Sequence, residues 1–302
     1  MKKSFKGTVL VVLAAIAWGI SGVSGQFLMK QGISVYLLTS LRLLISGLLL
    51  IGVVIWQQPQ QIKAILEDKK MLVGIFGFSI CGLLLNQFSY LQAIHYTNAG
   101  TATVLQYMAP VLVLTIICFK NRSLPTIGEL AAILLAILGT FVIATHGQLG
   151  NLALTPSGLF WGLFSAVTYT LYMFLPIKLI QEWGSLLVIG LGMLLGGLVF
   201  SLVSQSWQCN PQFQANNLLA YVGLIIVGSV FAYTSFLKGV SLIGAVKGSL
   251  LASIEPVAAV FFSVTLMKEI FYPIDFLGML LIILAVLIIS IRDLLVTNKE
   301  KI

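Results

Sequence analysis

Apolar runs long enough to cross a lipid bilayer follow one another along almost the whole chain, with short polar connections between them. A spanning helix needs about 20 apolar residues, because the hydrocarbon core is about 30 Å thick and each helical residue rises about 1.5 Å. We therefore predict an all-α integral membrane protein with ten transmembrane helices. The ten runs are residues 8–29, 33–56, 71–93, 97–119, 126–145, 157–177, 184–205, 218–237, 241–266 and 272–292.

Composition excludes a soluble globule. Of the 302 residues, 59% are hydrophobic and 9% are charged, whereas soluble domains have about 25% charged residues. The net charge of +8 sits in short loops, which indicates membrane topology and no nucleic acid partner. The two histidines and three scattered cysteines show no metal-ligand spacing, so we predict no metal and no cofactor.

The loops are strongly asymmetric in Lys and Arg. With the N-terminus inside, thirteen of the 17 Lys and Arg residues fall in cytoplasmic segments, while the outer loops hold only Lys30 and Lys268. Arg42 and Lys247 lie within spans. Since short cytoplasmic loops carry an excess of positive residues, we predict a multi-pass protein of the cell membrane (inner or plasma) with both termini in the cytoplasm.

The chain also repeats itself. Five helices per half is an odd number, so the second half enters the membrane from the opposite face, and we predict two inverted repeats, residues 1–148 and 149–302. At an offset of 146 the matched pairs are Ala99 with Ala245, Thr103 with Ser249, Pro110 with Pro256, Ser89 with Ser235 and Glu129 with Asp275. At an offset of 151 they are Gly7 with Gly158, Ala15 with Ala166 and Trp18 with Tyr169.

The repeated blocks resemble EamA-type members of the drug/metabolite transporter superfamily. Residues 99–110, AGTATVLQYMAP, match residues 245–257, AVKGSLLASIEPV, and the opening AAIAWG of residues 14–19 also fits the family. One departure is Lys120-Asn121-Arg122, where the family often has a Gly-Glu pair. The resemblance implies a central cavity between inverted five-helix repeats and secondary transport of small metabolites, such as amino acids or toxic amphiphiles, often outward.

The segment Leu242–Glu269 is the most unusual span, because it carries Lys247, Glu255 and Pro256 in an apolar run. A charged side chain at membrane depth normally faces a cavity or a partner. Pro256 has no N–H, so a helix through it leaves the Ala252 carbonyl without its usual donor. We interpret the segment as part of a substrate pathway. Pro256 and its counterpart Pro110 are then conformational elements, the alternative being a structural kink.

Glu255 is the strongest candidate for coupling. A carboxyl group in a low-dielectric cavity is harder to ionise, which suits a proton carrier or a counter-ion for a cationic substrate; the alternative is a buried acid that bonds a neighbouring helix. Lys247 could bind a substrate carboxylate or extend to the membrane interface. For Arg42 we favour structural anchoring to backbone carbonyls.

Polar and aromatic side chains complete the predicted substrate site. Polar residues can bind substrate hydroxyls and amines, or can simply join helices, and aromatic rings can hold a cation. The polar candidates are Asn86, Tyr90, Gln106 and Tyr107, and the aromatic ones are Trp18, Tyr169 and Tyr233.

Two other classes of function compete with transport. Ser21 and Ser24 each lie in a G-x-S-G pattern typical of rhomboid-like intramembrane serine proteases, with His95 or His146 as the base. Small residues of this kind are also common where spanning helices pack closely. A non-transporting assembly subunit would not need a charged midplane helix.

We therefore predict a non-enzymatic secondary transporter of a small molecule, an exporter coupled to protons or driven by the substrate gradient. A homodimer is left open.

Overall fold

The computed structural model describes residues 2–122, 124–148, 153–212 and 214–299, and within those ranges every regular element is helical. The α-helices, in chain order, are α1 (Lys2–Lys30), α2 (Val35–Gln57), α3 (Pro59–Glu67), α4 (Lys69–Gly77), α5 (Leu85–Tyr96), α6 (Ala99–Gln106), α7 (Ala109–Asn121), α8 (Ile127–Thr145), α9 (Pro156–Phe174), α10 (Ile177–Trp183), α11 (Ser185–Ser204), α12 (Ala215–Val222), α13 (Ala232–Ile243), α14 (Ala245–Ala252), α15 (Ile254–Met267) and α16 (Pro273–Lys299).

Eight helical stretches in the described residues are long and apolar enough to cross a bilayer, and they correspond to the first eight predicted runs. The last two runs contain shorter apolar helices, Ile254–Met267 and Pro273–Ile289. The prediction of an all-helical membrane protein is confirmed. Helix length alone does not confirm ten spans, because the described apolar helices in the last two runs are no longer than 17 residues.

Two spans contain a π-helical segment, Phe78–Leu84 between α4 and α5 and Gly223–Phe231 between α12 and α13. A π-helical turn is wider than an α-helical turn and is common at functional sites. The first segment leads directly into α5 and the second into α13. Both of these helices contribute side chains to the cavity described below.

Helix boundaries recur at the predicted offset of 146. Helices α6 and α14 begin at Ala99 and Ala245, and each is eight residues long. Helices α7 and α15 end at Asn121 and Met267, and the next residue in each case has left-handed backbone, with φ of 50° at Arg122 and 58° at Lys268. The helices of the two halves thus match closely in length, although the sequence identity between the halves is weak.

The closest helix packing joins the first half of the chain to the second. Helix α2 packs against α11, α8 against α16, α1 against α13, and α5 against α9. Glycines permit these approaches: a Cβ atom at Gly47 would lie 2.8 Å from Leu194 Cα, and one at Gly197 would lie 2.8 Å from Leu44 N. Small residues let membrane helices pack at short distance, where dispersion contacts and not the hydrophobic effect drive association.

Equivalent contacts appear twice in this arrangement. Gly7 of α1 lies against Leu242 and Ile243 of α13. Gly158, its counterpart in α9, lies against Tyr96 and Thr97 at the end of α5. The contact of α1 with α13 therefore has the same register as the contact of α9 with α5. These two pairs flank the centre of the molecule, where the polar side chains gather.

Candidate functional site

A small cavity of about 60 Å³, partly open to solvent, lies among helices from both halves of the chain. That volume is well below the roughly 300–1,000 Å³ of typical small-molecule sites. Its lining residues are Trp18, Arg42, Asn86, Gln87, Tyr90, Gln106, Tyr169, Tyr172, Tyr233, Phe236 and Glu255. The lining thus combines one acid, one base, three amides and six aromatic rings.

Glu255 is buried, with 8% of its surface exposed, and it stands in the first turn of α15. The Tyr107 hydroxyl oxygen lies 3.1 Å from Glu255 Oε2 and 2.7 Å from the Ala252 carbonyl oxygen. A hydroxyl group has one hydrogen to donate. An ionised Glu255 therefore competes with the Ala252 carbonyl for that hydrogen, whereas a protonated Glu255 can itself donate to Tyr107.

The break between α14 and α15 falls at Ser253, three residues before Pro256. Pro256 therefore occupies the first turn of α15, where a missing N–H disrupts least. Pro256 cannot supply the usual donor to the Ala252 carbonyl, as expected, and Tyr107 supplies one instead across the helix interface. Pro110 has a similar position, in the first turn of α7 after the break that follows α6.

Helix α5 joins the two sides of the cavity through neighbouring amides. Asn86 Oδ1 accepts a hydrogen bond of 3.1 Å from Gln106 Nε2 in α6. Gln87 Nε2 donates a hydrogen bond of 3.2 Å to the Tyr233 hydroxyl in α13. Adjacent helical residues point about 100° apart, so one helix can contact partners from both halves of the chain.

Aromatic rings form a continuous wall on one side of the cavity. Trp18 lies edge-on to Tyr233, with 5.5 Å between ring centroids, and 5.1 Å from Phe236. Tyr172 lies 6.3 Å from Tyr233 and stacks on Tyr169 at 5.7 Å. Rings at these distances stabilise one another, and their faces can attract an organic cation.

Arg42 also lines the cavity, although the sequence favoured a structural anchor at this position. It is buried, with 4% exposed. Its Nε donates a hydrogen bond of 3.0 Å to Ser229 Oγ, and its Nη1 has no hydrogen-bond partner among the described residues. Only part of the guanidinium group is therefore anchored, and to a side chain instead of a backbone carbonyl. The sequence signal for a role in the cavity was the position of Arg42 inside a predicted span.

The structure brings most of the predicted site residues together. Seven line the cavity: Trp18, Asn86, Tyr90, Gln106, Tyr169, Tyr233 and Glu255. Tyr107 contacts Glu255 from beside them. Lys247 is not among the lining residues; it is exposed on α14, which favours the alternative of a side chain that extends to the membrane interface.

Four lining residues were not among the predicted site residues: Arg42, Gln87, Tyr172 and Phe236. Tyr172 and Phe236 each follow a predicted aromatic residue by three positions and share its helix face, a signal available in the sequence.

On one side of the cavity, the ends of α1, α6 and α15 meet at a group of residues that we call the Glu269 cluster: Gln26, Lys30, Ala99 and Glu269. Glu269 Oε1 accepts hydrogen bonds from Lys30 Nζ at 2.6 Å and from Gln26 Nε2 at 2.7 Å. Gln26 Oε1 in turn accepts from the Ala99 backbone N–H at 3.0 Å. The cluster thus ties the ends of α1, α6 and α15 together.

The other end of the cavity lacks the equivalent packing. Near the Glu269 cluster, α6 packs along α15, and α1 packs against both α5 and α6. The internal repeat relates α1 to α9, α5 to α13, α6 to α14 and α7 to α15. The pairs that correspond to those near the Glu269 cluster are therefore α14 with α7, α9 with α13, and α9 with α14. In the part of the chain that the structure describes, none of these three pairs packs comparably. The molecule is therefore closed at the Glu269 end and looser at the end that holds the N-terminus of α1.

The residues that suggested a protease do not form a catalytic pair. Ser21 Oγ is buried and donates to the Leu224 carbonyl at 3.3 Å. His146 Nδ1 pairs with Asp275 Oδ1 at 2.5 Å, and His95 is exposed beside Tyr96. No serine–histidine hydrogen bond occurs between described residues, and within the same ranges no three His, Cys, Asp or Glu side chains are grouped as metal ligands.

Comparison with known proteins relates both halves of the chain to one family. The profile of the EamA-like transporter family matches residues 5–145 and, separately, residues 156–291. The chain is 35% identical over 292 residues to the "Uncharacterized inner membrane transporter YicL" of Salmonella typhimurium, covering 96% of this chain and 97% of that one.

More distant relatives agree with this similarity. The chain is 26% identical to the "Uncharacterized transporter YetK" of Bacillus subtilis over 305 residues, covering 97% and 89% of the two chains. A solved structure titled "Crystal structure of protein" matches with a TM-score of 0.62 at 18% identity, covering 97% of this chain and 98% of that one. At that identity the structural match concerns the fold alone.

Proposed function

Because the chain belongs to the EamA-like transporter family and is a multi-pass membrane protein, we propose that it is a secondary transporter. It carries a small metabolite of the amino acid or amphiphile class through the central cavity by alternating access. Ten spans form two inverted five-helix repeats, and both termini lie in the cytoplasm. In such architectures the site lies near the midplane between the repeats, beside broken helices.

The observation that carries this proposal is a buried polar and aromatic cavity beside two broken helices, with unequal helix packing on its two sides. The Glu269 cluster and the packing of α6 on α15 close one side. With the N-terminus in the cytoplasm, that side is extracytoplasmic and the looser side is cytoplasmic. This asymmetry supports a state that opens to the cytoplasm, from which an exporter loads its substrate and in which an importer releases it.

Glu255 is the proposed coupling residue. It stands beside the break between α14 and α15 and shares the Tyr107 hydroxyl with the Ala252 carbonyl. Protonation of Glu255 leaves the Tyr107 hydrogen to the carbonyl at the break, and ionisation draws it to the carboxylate. The protonation state thereby changes the hydrogen bonding at the helix break, which couples proton movement to the conformation of α14 and α15.

The test begins with purified protein in detergent and a thermal-shift screen of metabolites, because a ligand that binds only the folded state raises the apparent stability. Each stabilising compound is then loaded into proteoliposomes, and counterflow of the radiolabelled compound is measured. We expect labelled compound to accumulate transiently in liposomes that contain the protein. If no stabilising compound shows protein-dependent exchange, the transport proposal is wrong.

A further inference from the structure

Arg42 holds a charged group in the cavity with part of its donor set unused. Its guanidinium has five N–H donors and no acceptor. Nε is satisfied by Ser229 Oγ, while Nη1 has no partner among the described residues. A buried charge without a full set of partners is strongly unfavourable. An oxygen atom of a bound ligand would therefore supply the hydrogen bond that Arg42 Nη1 lacks.

The nearest candidate for a counter-charge inside the protein is Glu255, since both residues line the same cavity. They do not pair. The ion pairs between described residues are Lys30 with Glu269 and His146 with Asp275. Glu255 is instead held by Tyr107, and Arg42 by Ser229. The cavity thus presents one positive and one negative group, each bound to its own hydroxyl partner.

The surroundings hold Arg42 in this place. Ser229 belongs to the π-helical segment Gly223–Phe231, and its hydroxyl also lies 3.4 Å from the Leu224 carbonyl, which takes its hydrogen. The Ser229 oxygen is therefore free to accept from Arg42 Nε. An interaction through Nε fixes one edge of the planar guanidinium group and leaves the buried Nη1 without a partner, which suits a hydrogen bond to a carboxylate oxygen.

We propose that Arg42 is the carboxylate-binding group of the cavity and that the substrate is a small zwitterion, with its carboxylate at Arg42 and its protonated amine between Glu255 and the aromatic wall. This inference rests on the proposed function, because it names the ligand of the transport cavity. A zwitterion neutralises both charged groups at once, whereas a simple cation leaves Arg42 unpaired and a simple anion leaves Glu255 unpaired.

The test compares ligands that differ by one charged group. Purified wild-type protein is titrated by thermal shift with the common amino acids, with the amines that lack the carboxylate, and with the acids that lack the amine. We expect at least one amino acid to stabilise the protein. We also expect its matched amine and its matched acid to bind at least tenfold more weakly.

The variant Arg42→Gln then identifies the residue, because glutamine can still donate to Ser229. We expect the preferred amino acid to bind at least tenfold more weakly to this variant and the matched amine to bind within twofold of wild type. Arg42→Lys, which keeps the charge but not the planar fork, should fall between them. The melting temperature without ligand reports whether each variant is folded.

Three results would overturn the proposal. The first is that no zwitterion binds, the second that the amine binds wild type as tightly as the amino acid, and the third that Arg42→Gln weakens both ligands equally, as a purely structural residue would. If a carboxylate-free ligand binds at least as tightly as every amino acid and is exchanged by proteoliposomes, the carboxylate subsite is wrong and transport stands. If a zwitterion binds through Arg42 but no bound ligand is exchanged, the subsite stands and transport is wrong.

Discussion

At the scale of single residues, the cavity depends on hydroxyl groups that satisfy buried charges. The Tyr107 hydroxyl donates a hydrogen bond to Glu255, and the Ser229 hydroxyl accepts one from Arg42. A buried charge is tolerated in a low-dielectric interior only when hydrogen bonds or counter-charges replace its hydration. Because each charge here has a neutral partner, neither is locked in an ion pair. Both remain available to a substrate or to a proton.

Replacing Glu255 with glutamine tests proton coupling. Glutamine is close in shape to the protonated acid and cannot ionise. We expect Glu255→Gln to exchange substrate across the membrane but not to concentrate it when a pH gradient is imposed, and we expect exchange to lose most of its dependence on pH. Counterflow and pH-driven uptake in the same liposomes measure both quantities.

Glu182→Gln, at an exposed acid on α10, is the matched control and should behave as wild type. Continued pH-driven uptake by Glu255→Gln would show that another group carries the proton.

Removing the Tyr107 hydroxyl should destabilise the protein. Tyr107→Phe leaves the Ala252 carbonyl and Glu255 without their shared donor, and an unsatisfied buried group costs about 1–3 kcal/mol. Tyr90→Phe is the control, since the Thr103 hydroxyl that contacts Tyr90 also donates to the Ala99 carbonyl at 2.7 Å. We expect a loss below about 1 kcal/mol for Tyr90→Phe. Equilibrium unfolding in mixed micelles compares them, and equal losses would contradict the assigned role of Tyr107.

At the scale of elements, the broken helices α6–α7 and α14–α15 meet differently at the two ends of the molecule. Helix α6 packs along α15, whereas α7 and α14 show no comparable packing among the described residues. The two broken helices thus correspond in sequence and length but differ in their contacts. Alternating access under the proposed function exchanges these contacts, so the Glu269 cluster must open when the cavity opens to the other side.

Weakening the Glu269 cluster should favour the opposite state. Glu269→Gln removes the charge that attracts Lys30 and weakens the link from α15 to α1. We expect a cysteine at position 102, introduced as Ala102→Cys where the residue is fully buried on α6, to react faster with a membrane-impermeant maleimide. The native residues Cys81, Cys118 and Cys209 are first replaced by serine.

The control is Lys268→Asn, which removes a neighbouring exposed charge and keeps a residue that tolerates left-handed backbone. Equal labelling in Glu269→Gln and the parent would mean that the cluster does not hold this end closed.

At the scale of the whole molecule, the two halves are interlocked and do not form separate units. The pairs α1 with α13 and α5 with α9 are equivalent under the repeat, and α2 with α11 and α8 with α16 join matching helices of the two halves. The pattern agrees with the proposed inverted repeats, which would place the proposed substrate site between the halves.

Topology provides a direct test of the inverted arrangement. Reporter fusions placed after Lys30, Lys70, Asn151 and Lys238 should be located outside, inside, outside and inside, respectively. Asn151 lies outside the described residues, so this position depends on the sequence prediction alone. A fusion after Lys299 should be cytoplasmic. A cytoplasmic reporter after Asn151 would contradict the inverted repeat and, with it, the proposed transport mechanism.

The sequence by itself determined the helices, because the length and the apolar composition that a span needs are properties of each segment alone. It also determined the repeat, because matching residues recur at fixed offsets. It also indicated Glu255, Pro110, Pro256 and Asn86 of α5, since polar groups and prolines at membrane depth are rare and conspicuous.

Only the tertiary structure decided which of these groups meet. Tyr107 reaches the Ala252 carbonyl, and Arg42 reaches Ser229, across separations of 145 and 187 residues. A helix that is apolar on nearly every side has no periodic pattern to show which face turns inward. For that reason the sequence left the place of Lys247 open and undervalued Arg42: the rotation of each helix about its axis is fixed by its neighbours and not by its own residues.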